Sequence, residues 1–194
     1  MSRKLLYFDG SPFARILRIL AREWQIPWDE DEITEFPFDD AIFRDTPFGQ
    51  VPVLYDGDEV LFPTAVILRR MAAIAGKALD DQTVTVALQM GDALVAAKYQ
   101  DWAGLGPVGA NVLGFDPGQR NMKRVFQTLE WLEERIATDI LAPEAVTVAV
   151  FLEWTDSRGP IPWRGNAWRE ELVRTLSTRR AFEQTRPNPW EARQ

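Results

Sequence analysis

Lys4-Leu5-Leu6-Tyr7-Phe8-Asp9-Gly10-Ser11-Pro12-Phe13-Ala14-Arg15-Ile16-Leu17 lays out a strand, a break and a helix in one short stretch. Residues 4–8 form an apolar and aromatic run that reads as a buried strand, and Gly10, Ser11 and Pro12 end it. Phe13, Ile16, Leu17, Leu20 and Trp24 then recur at helical spacing, while Arg15, Arg18, Arg22 and Glu23 fall mostly on the other side. Pro27 stops that helix. Residues 28–33 are acidic and weakly strand-like, which suits an edge strand. Residues 36–48, with Pro37, Pro47 and several acids, read as loop with one helical turn. Residues 51–55 and 59–62 flank Asp56-Gly57-Asp58 and predict a hairpin. Ile67, Leu68, Met71, Ile74 and Ala75 make a helical stripe that Gly76 terminates.

Beyond Val84 the strand signals fade and apolar residues keep helical spacing, most clearly Met122, Val125, Phe126, Leu129, Leu132 and Ile136. The expected organisation is an α/β domain over residues 1–76, a polar linker over 77–83 and an all-helical domain over 84–194. Residues 104–118, rich in Gly and Pro, read as an exposed loop between two long helices.

Composition narrows the chemistry. With 46% hydrophobic and 26% charged residues, the chain has the balance of a folded protein and not of a disordered one. A net charge of -7 opposes a phosphate backbone, so nucleic acid is not an expected partner. The apolar piece before Asp9 is too short for a signal h-region, so no export signal is expected. The longest uncharged apolar stretch, residues 145–152, falls far short of the ~20 residues that cross a bilayer, so no membrane anchor is expected. The chain has neither cysteine nor histidine. Disulfides, protein thiolates, imidazole bases and the usual zinc ligands are absent together. Chemistry must come from hydroxyls, carboxylates, amides, backbone groups or a substrate's own thiol, and no metal is expected.

Ser11-Pro12-Phe13-Ala14-Arg15, between the first strand and the first helix, resembles the active-site turn of the glutathione transferase superfamily, especially its bacterial and omega-like members. Thr46-Pro47-Phe48-Gly49-Gln50-Val51-Pro52-Val53-Leu54 is similar to the segment that carries the family's cis-proline, and Arg179-Arg180-Ala181-Phe182-Glu183-Gln184-Thr185-Arg186-Pro187 resembles its ending. The resemblance covers nearly the whole chain and is most specific over residues 4–76. It implies a thioredoxin-like domain followed by a helical bundle, a cis Val51-Pro52 bond, a cytoplasmic homodimer and a role in detoxification. The implied activity is activation of the glutathione thiol for attack on a small hydrophobic electrophile. The implied glutathione site comprises catalytic Ser11 with Phe13, Gln50, Val51, Pro52, Pro63 and Thr64, while Tyr99 and Trp102 wall the electrophile pocket. Val51 would pair with the cysteinyl backbone of glutathione as though the tripeptide were an added strand.

Each of these residues also has a plainer reading. Ser11 before Pro12 is a good helix N-cap, worth ~1 kcal/mol. Pro52 suits an edge strand, Tyr99 and Trp102 suit a core, and Arg15 and Arg18 read as solvated or as bait for an acidic peptide. The chain departs from the family where Pro63-Thr64 replaces the usual acid and serine. Thr64 keeps a hydroxyl that could cap the next helix, but Pro63 offers no carboxylate to the γ-glutamyl ammonium. Ala142-Pro143-Glu144-Ala145 likewise lacks the family's capping side chains. A non-catalytic ligand- or partner-binding protein and a glutathione-dependent isomerase or lyase are the alternative functions.

Overall fold

The computed structural model describes residues 2–35, 40–104, 114–136, 139–159 and 161–188. In chain order these form β1 (Arg3–Tyr7), α1 (Pro12–Glu23), β2 (Asp29–Glu32), a 3-10 turn (Asp40–Arg44), β3 (Val53–Asp56), β4 (Glu59–Leu61), α2 (Thr64–Ala75), α3 (Asp81–Trp102), α4 (Pro117–Glu133), α5 (Pro143–Arg158), α6 (Ala167–Ser177) and α7 (Arg180–Gln184). The fold is a thioredoxin-like α/β sheet region followed by helices. The chain divides into two compact units, one of Met1–Leu79 with Val173–Gln194 and one of Asp80–Leu172.

In the first unit the sheet order is β2-β1-β3-β4. β1 pairs in parallel with β2 and antiparallel with β3, and β3 pairs antiparallel with β4. Leu5 and Tyr7, two positions apart, are both buried, as the period of a strand requires. Ile16, Leu17, Ile19 and Leu20 of α1 are fully buried. The expected hairpin forms, with Asp56 opposite Glu59 across Gly57 and Asp58. Gly76 adopts the left-handed conformation at φ 61 and ends α2, the C-cap that only glycine takes without penalty.

β2 is Asp-Glu-Asp-Glu, a poor strand by propensity. Charge explains it. Arg18 Nε donates to Glu30 at 2.9 Å, Arg22 Nη1 donates to the same carboxylate at 2.6 Å, and Lys4 lies 3.1 Å from Asp31.

Three local expectations are corrected. Arg15 and Arg18 are buried, at 3% and 7% exposure, so neither is solvated nor offered to an acidic peptide. Arg15 donates to the Phe182 carbonyl at 3.2 Å, and Arg18 stacks 4.2 Å from the Tyr7 ring centroid. Thr64 does not cap α2: Pro63 holds the N-cap position, Thr64 is the first helical residue, and no side chain caps that end. Helix α3 starts at Asp81, ahead of the apolar spacing that begins at Val84, because Asp80 accepts from the Thr83 N–H at 3.1 Å and caps a polar first turn.

The second unit is helical. Asp116 caps α4 through the Gln119 N–H at 3.0 Å, whereas α5 begins at Pro143 with no side-chain cap. Gly91 of α3 and the fully buried Phe151 of α5 lie so close that a Cβ on Gly91 would sit 2.1 Å from the ring. Glu133 holds both Arg169 and Asn166, the latter at 2.9 Å. Of the expected loop over 104–118, residues 105–113 lie outside the described residues, as do residues 36–39 of the earlier loop. No helix among the described residues is long and apolar enough to cross a membrane.

Candidate functional site

Sheet register gathers the candidate residues of the first unit at one end of the sheet. Leu6 of β1 lies opposite Val53 of the antiparallel β3, so Phe8 to Ser11 leave the sheet where Val51 and Pro52 enter it. Leu54 lies opposite Leu61, so Phe62, Pro63 and Thr64 leave β4 at that same end.

Phe8 to Ser11 form a tight turn closed by the Ser11 N–H donating to the Phe8 carbonyl at 2.9 Å. Ser11 is the N-cap of α1, and its Oγ accepts from the Ala14 N–H at 3.3 Å. That bond uses a lone pair of the oxygen. Among the described residues the hydroxyl proton has no acceptor. The first turn of α1 carries no acidic residue, so the positive end of the helix dipole is not offset by its own side chains. Phe13, in that first turn, is half-buried.

The Val51-Pro52 bond is cis, as the resemblance implied. Val51 is half-buried and Pro52 buried. Neither the N–H nor the C=O of Val51 makes a hydrogen bond among the described residues, because ladder pairing of β3 with β1 begins only at Val53. Two unpaired groups beside a sheet are what an extended ligand backbone needs. Gly49, at φ 56, fits under the Phe43 ring, where a Cβ would come within 2.2 Å. Only glycine allows the chain to turn there, and the turn delivers an exposed Gln50 to this end of the sheet.

Pro63 is exposed and Thr64 is 6% exposed; the Thr64 hydroxyl has no hydrogen-bond partner among the described residues. Tyr7 is a different case. Its hydroxyl donates to Glu32 at 3.4 Å, and burial pushes its pKa above the ordinary 10.0, so it stays neutral and engaged.

Tyr99 and Trp102 lie near the end of α3 in the second unit, 52% and 51% exposed, so neither is core. Their rings meet edge to face at 5.4 Å, and Trp102 meets Trp154 at 5.9 Å. A groove of about 570 Å³ lined by Arg22, Glu23, Arg179 and Arg180 sits at the opposite end of α1 from Ser11. Arg22 and Arg179 are already committed to Glu30 and Glu23.

Sequence reasoning missed Asp9. It is 7% exposed, and its carboxylate accepts from the Asn188 backbone N–H at 2.8 Å and from Arg18 at 3.5 Å. The only local signal was an acid inside an otherwise apolar strand-to-turn run.

Residues 10–74 match the family model for the N-terminal domain of glutathione S-transferase. Over 90 residues the chain is 32% identical to a glutathione S-transferase P of Caenorhabditis elegans, a match covering 46% of this chain and 43% of that relative. The chain thus spans less than half the length of that curated relative. Both matches say that part of the chain is similar to glutathione S-transferases. Its fold is shared by two solved structures. A glutathione transferase family member from Pseudomonas fluorescens, with bound glutathione, superposes at a TM-score of 0.78 and 21% identity, covering 96% of this chain and all of that one. A glutathione S-transferase from Methylobacillus flagellatus with GSH bound gives 0.72 and 20% over the same shares.

Proposed function

We propose that the protein binds glutathione at this end of the sheet and activates its thiol for attack on a small hydrophobic electrophile. The observation that carries the reading is the pairing of a Ser11 hydroxyl whose proton has no acceptor with a Val51 backbone whose N–H and C=O have no partner among the described residues. The similarity of residues 10–74 to the N-terminal domain of glutathione S-transferase and the ligands named for the two solved structures support the choice of glutathione.

In this reading the Val51 backbone pairs with the cysteinyl residue, Thr64 donates to the γ-glutamyl carboxylate, and Phe13, Gln50, Pro52 and Pro63 complete the walls. Ser11 donates a hydrogen bond to the sulfur. The helix N-terminus adds its dipole, and both favour the thiolate over a thiol whose free pKa is about 8.5. The thiol proton leaves to solvent, and the sulfur lone pair forms the bond to the electrophile's carbon, as the carbon–halogen bond breaks and halide departs, or as an enone's π pair shifts to its oxygen and the adduct then takes a proton from solvent. The protein has no cysteine, so no protein–glutathione mixed disulfide can form. Tyr99 and Trp102 hold the electrophile in the helical domain of residues 84–194, which follows the glutathione-binding domain of residues 1–76 and the linker 77–83. The working form is a cytoplasmic homodimer in detoxification, with no metal.

Pro63 favours a second reading, a non-catalytic protein that binds a ligand or partner, because it supplies no carboxylate to the ligand's ammonium. An isomerase or lyase would use the same thiolate on another substrate. Calorimetric titration with glutathione, followed by turnover of a panel of activated aryl halides and enones, separates these readings. Binding with conjugation is the expected result. Binding without turnover would support the second reading, and no binding at millimolar glutathione would defeat the proposal.

A further inference from the structure

The turn that carries Ser11 is held by a residue 179 positions away from it in numbering, counted from Asp9 to Asn188. Asp9 is a central residue of the turn Phe8-Asp9-Gly10-Ser11, and its side chain is 8% exposed. A carboxylate so buried requires donors. Those donors include the Asn188 backbone N–H to Oδ2 at 2.8 Å and Arg18 Nη1 to Oδ1 at 3.5 Å. Arg18 is itself placed by Glu30 and by the face of Tyr7. The shorter bond, from Asn188, therefore ties the turn to the segment following α7.

The Ser11 hydroxyl needs that support. Its bond from the Ala14 N–H, at 3.3 Å, lies beyond the usual 2.7–3.2 Å range, so the cap alone holds Oγ weakly. The direction of Oγ is then set mainly by the peptide planes on either side of Gly10, which Asp9 anchors.

We propose that Asp9 is a positioning residue for Ser11, and that the Asn188 backbone N–H is the latch that holds Asp9 in place. The inference rests on the reading of Ser11 as the hydrogen-bond donor to a glutathione thiolate. Losing the latch acts in one direction through two routes. The turn loosens and Ser11 aims less well. The Asp9 carboxylate, two residues from Ser11, also loses a donor that offsets its charge, which opposes a nearby thiolate.

Proline has no N–H, so Asn188→Pro deletes the latch atom, and Asn188→Ala keeps it. Asn188 is exposed and lies outside any helix or strand, so neither change removes a packed side chain. Pro187→Gly keeps the N–H but loosens the segment that aims it, and it provides a variant with no new proline. The readouts are the pKa of the bound glutathione thiol, from thiolate absorbance against pH, the Kd for glutathione, and amide exchange at Ser11 in the free protein. Asn188→Pro should raise the thiol pKa by about half a pH unit or more with Kd within about twofold, and should speed exchange at Ser11. Pro187→Gly should give a smaller rise of the same sign, and Asn188→Ala should match the unchanged protein. A thiol pKa unmoved in both Asn188→Pro and Pro187→Gly would overturn the latch, and it would leave the Ser11 reading intact if Ser11→Ala shifts the pKa in the same assay. A thiol pKa unmoved in Ser11→Ala would overturn both.

Discussion

Arg179 grips Glu23 with two parallel hydrogen bonds, Nε to Oε1 at 2.7 Å and Nη2 to Oε2 at 2.6 Å, across 156 positions of chain. A fork of this kind is directional as well as charged. The Glu23 side chain is only 11% exposed, so removing the arginine strands a carboxylate, while the 37% exposure of Arg179 lets water screen part of the gain. Arg179→Met should cost about 1–2 kcal/mol by urea unfolding. Adding Glu23→Gln should cost less than the sum of the two single changes.

Gly91 sits in the middle of α3, where helix propensity favours alanine by ~1 kcal/mol. Packing opposes it. The new Cβ would fall 2.1 Å from the Phe151 ring, which is fully buried and has no way out, and overpacking of this kind costs roughly 1–3 kcal/mol. Gly91→Ala should therefore lower the melting temperature. The double change with Phe151→Leu should be less harmful than the two singles predict.

Two glutamates should give opposite pH dependence. Burial pushes Glu144 above its ordinary 4.5, with the Asp80 and Asp139 charges adding to the rise, and its Oε2 has no hydrogen-bond partner among the described residues. Its ionisation therefore weakens the fold, a penalty absent below about pH 4.5 and growing as pH rises through the raised value. Glu144→Gln should raise the urea midpoint at pH 7 and lose that advantage near pH 4. For Glu30, burial also pushes up, but the Arg22 hydrogen bond and the charges of Arg18 and Arg22 outweigh it and hold the pKa below 4.5. Its stabilisation is present above that value and is lost as pH falls through the lowered one. Glu30→Gln should destabilise at pH 7 and flatten the acid limb of the stability profile.

Glutathione should bind weakly, because Pro63 supplies no carboxylate to the γ-glutamyl ammonium. A charge-assisted hydrogen bond is worth roughly 1.5–3 kcal/mol, about tenfold or more in affinity. An analogue with the α-amino group acylated should then bind within about threefold of glutathione itself. Calorimetry that shows a hundredfold loss for the analogue would mean another acid has taken the role.

Much of the first unit was legible because its signals are local. β1, α1 and the β3–β4 hairpin announce themselves through periodicity and through Gly10, Pro12 and Gly57, which act on their immediate neighbours. β2 was faint because Asp29 to Glu32 carry no apolar pattern, and their stability comes from Arg18, Arg22 and Lys4 on other elements. Arg15 looked like a surface residue for the same reason: its partner, the Phe182 carbonyl, is 167 positions away. In the candidate site, Ser11 and Val51-Pro52 stand out because turn chemistry needs those residue types at those positions. The Asp9–Asn188 contact pairs a side chain with a backbone N–H, a donor that every residue but proline carries, so no residue pattern could reveal it.

The central claim is that the Ser11 hydroxyl stabilises a glutathione thiolate, and the most direct measurement is the pKa of the bound thiol in the unchanged protein and in Ser11→Ala. A hydrogen bond to a charged group is worth about 1.5–3 kcal/mol, so the pKa should rise by about 1–2 pH units in the variant, with conjugation at neutral pH slowed roughly ten- to a hundredfold. Glutathione affinity should change little, since Val51 and Thr64 remain. Loss of the cap would also lower stability by ~1 kcal/mol. A lowered melting temperature with an unmoved thiol pKa would contradict the account and leave Ser11 as a helix cap alone.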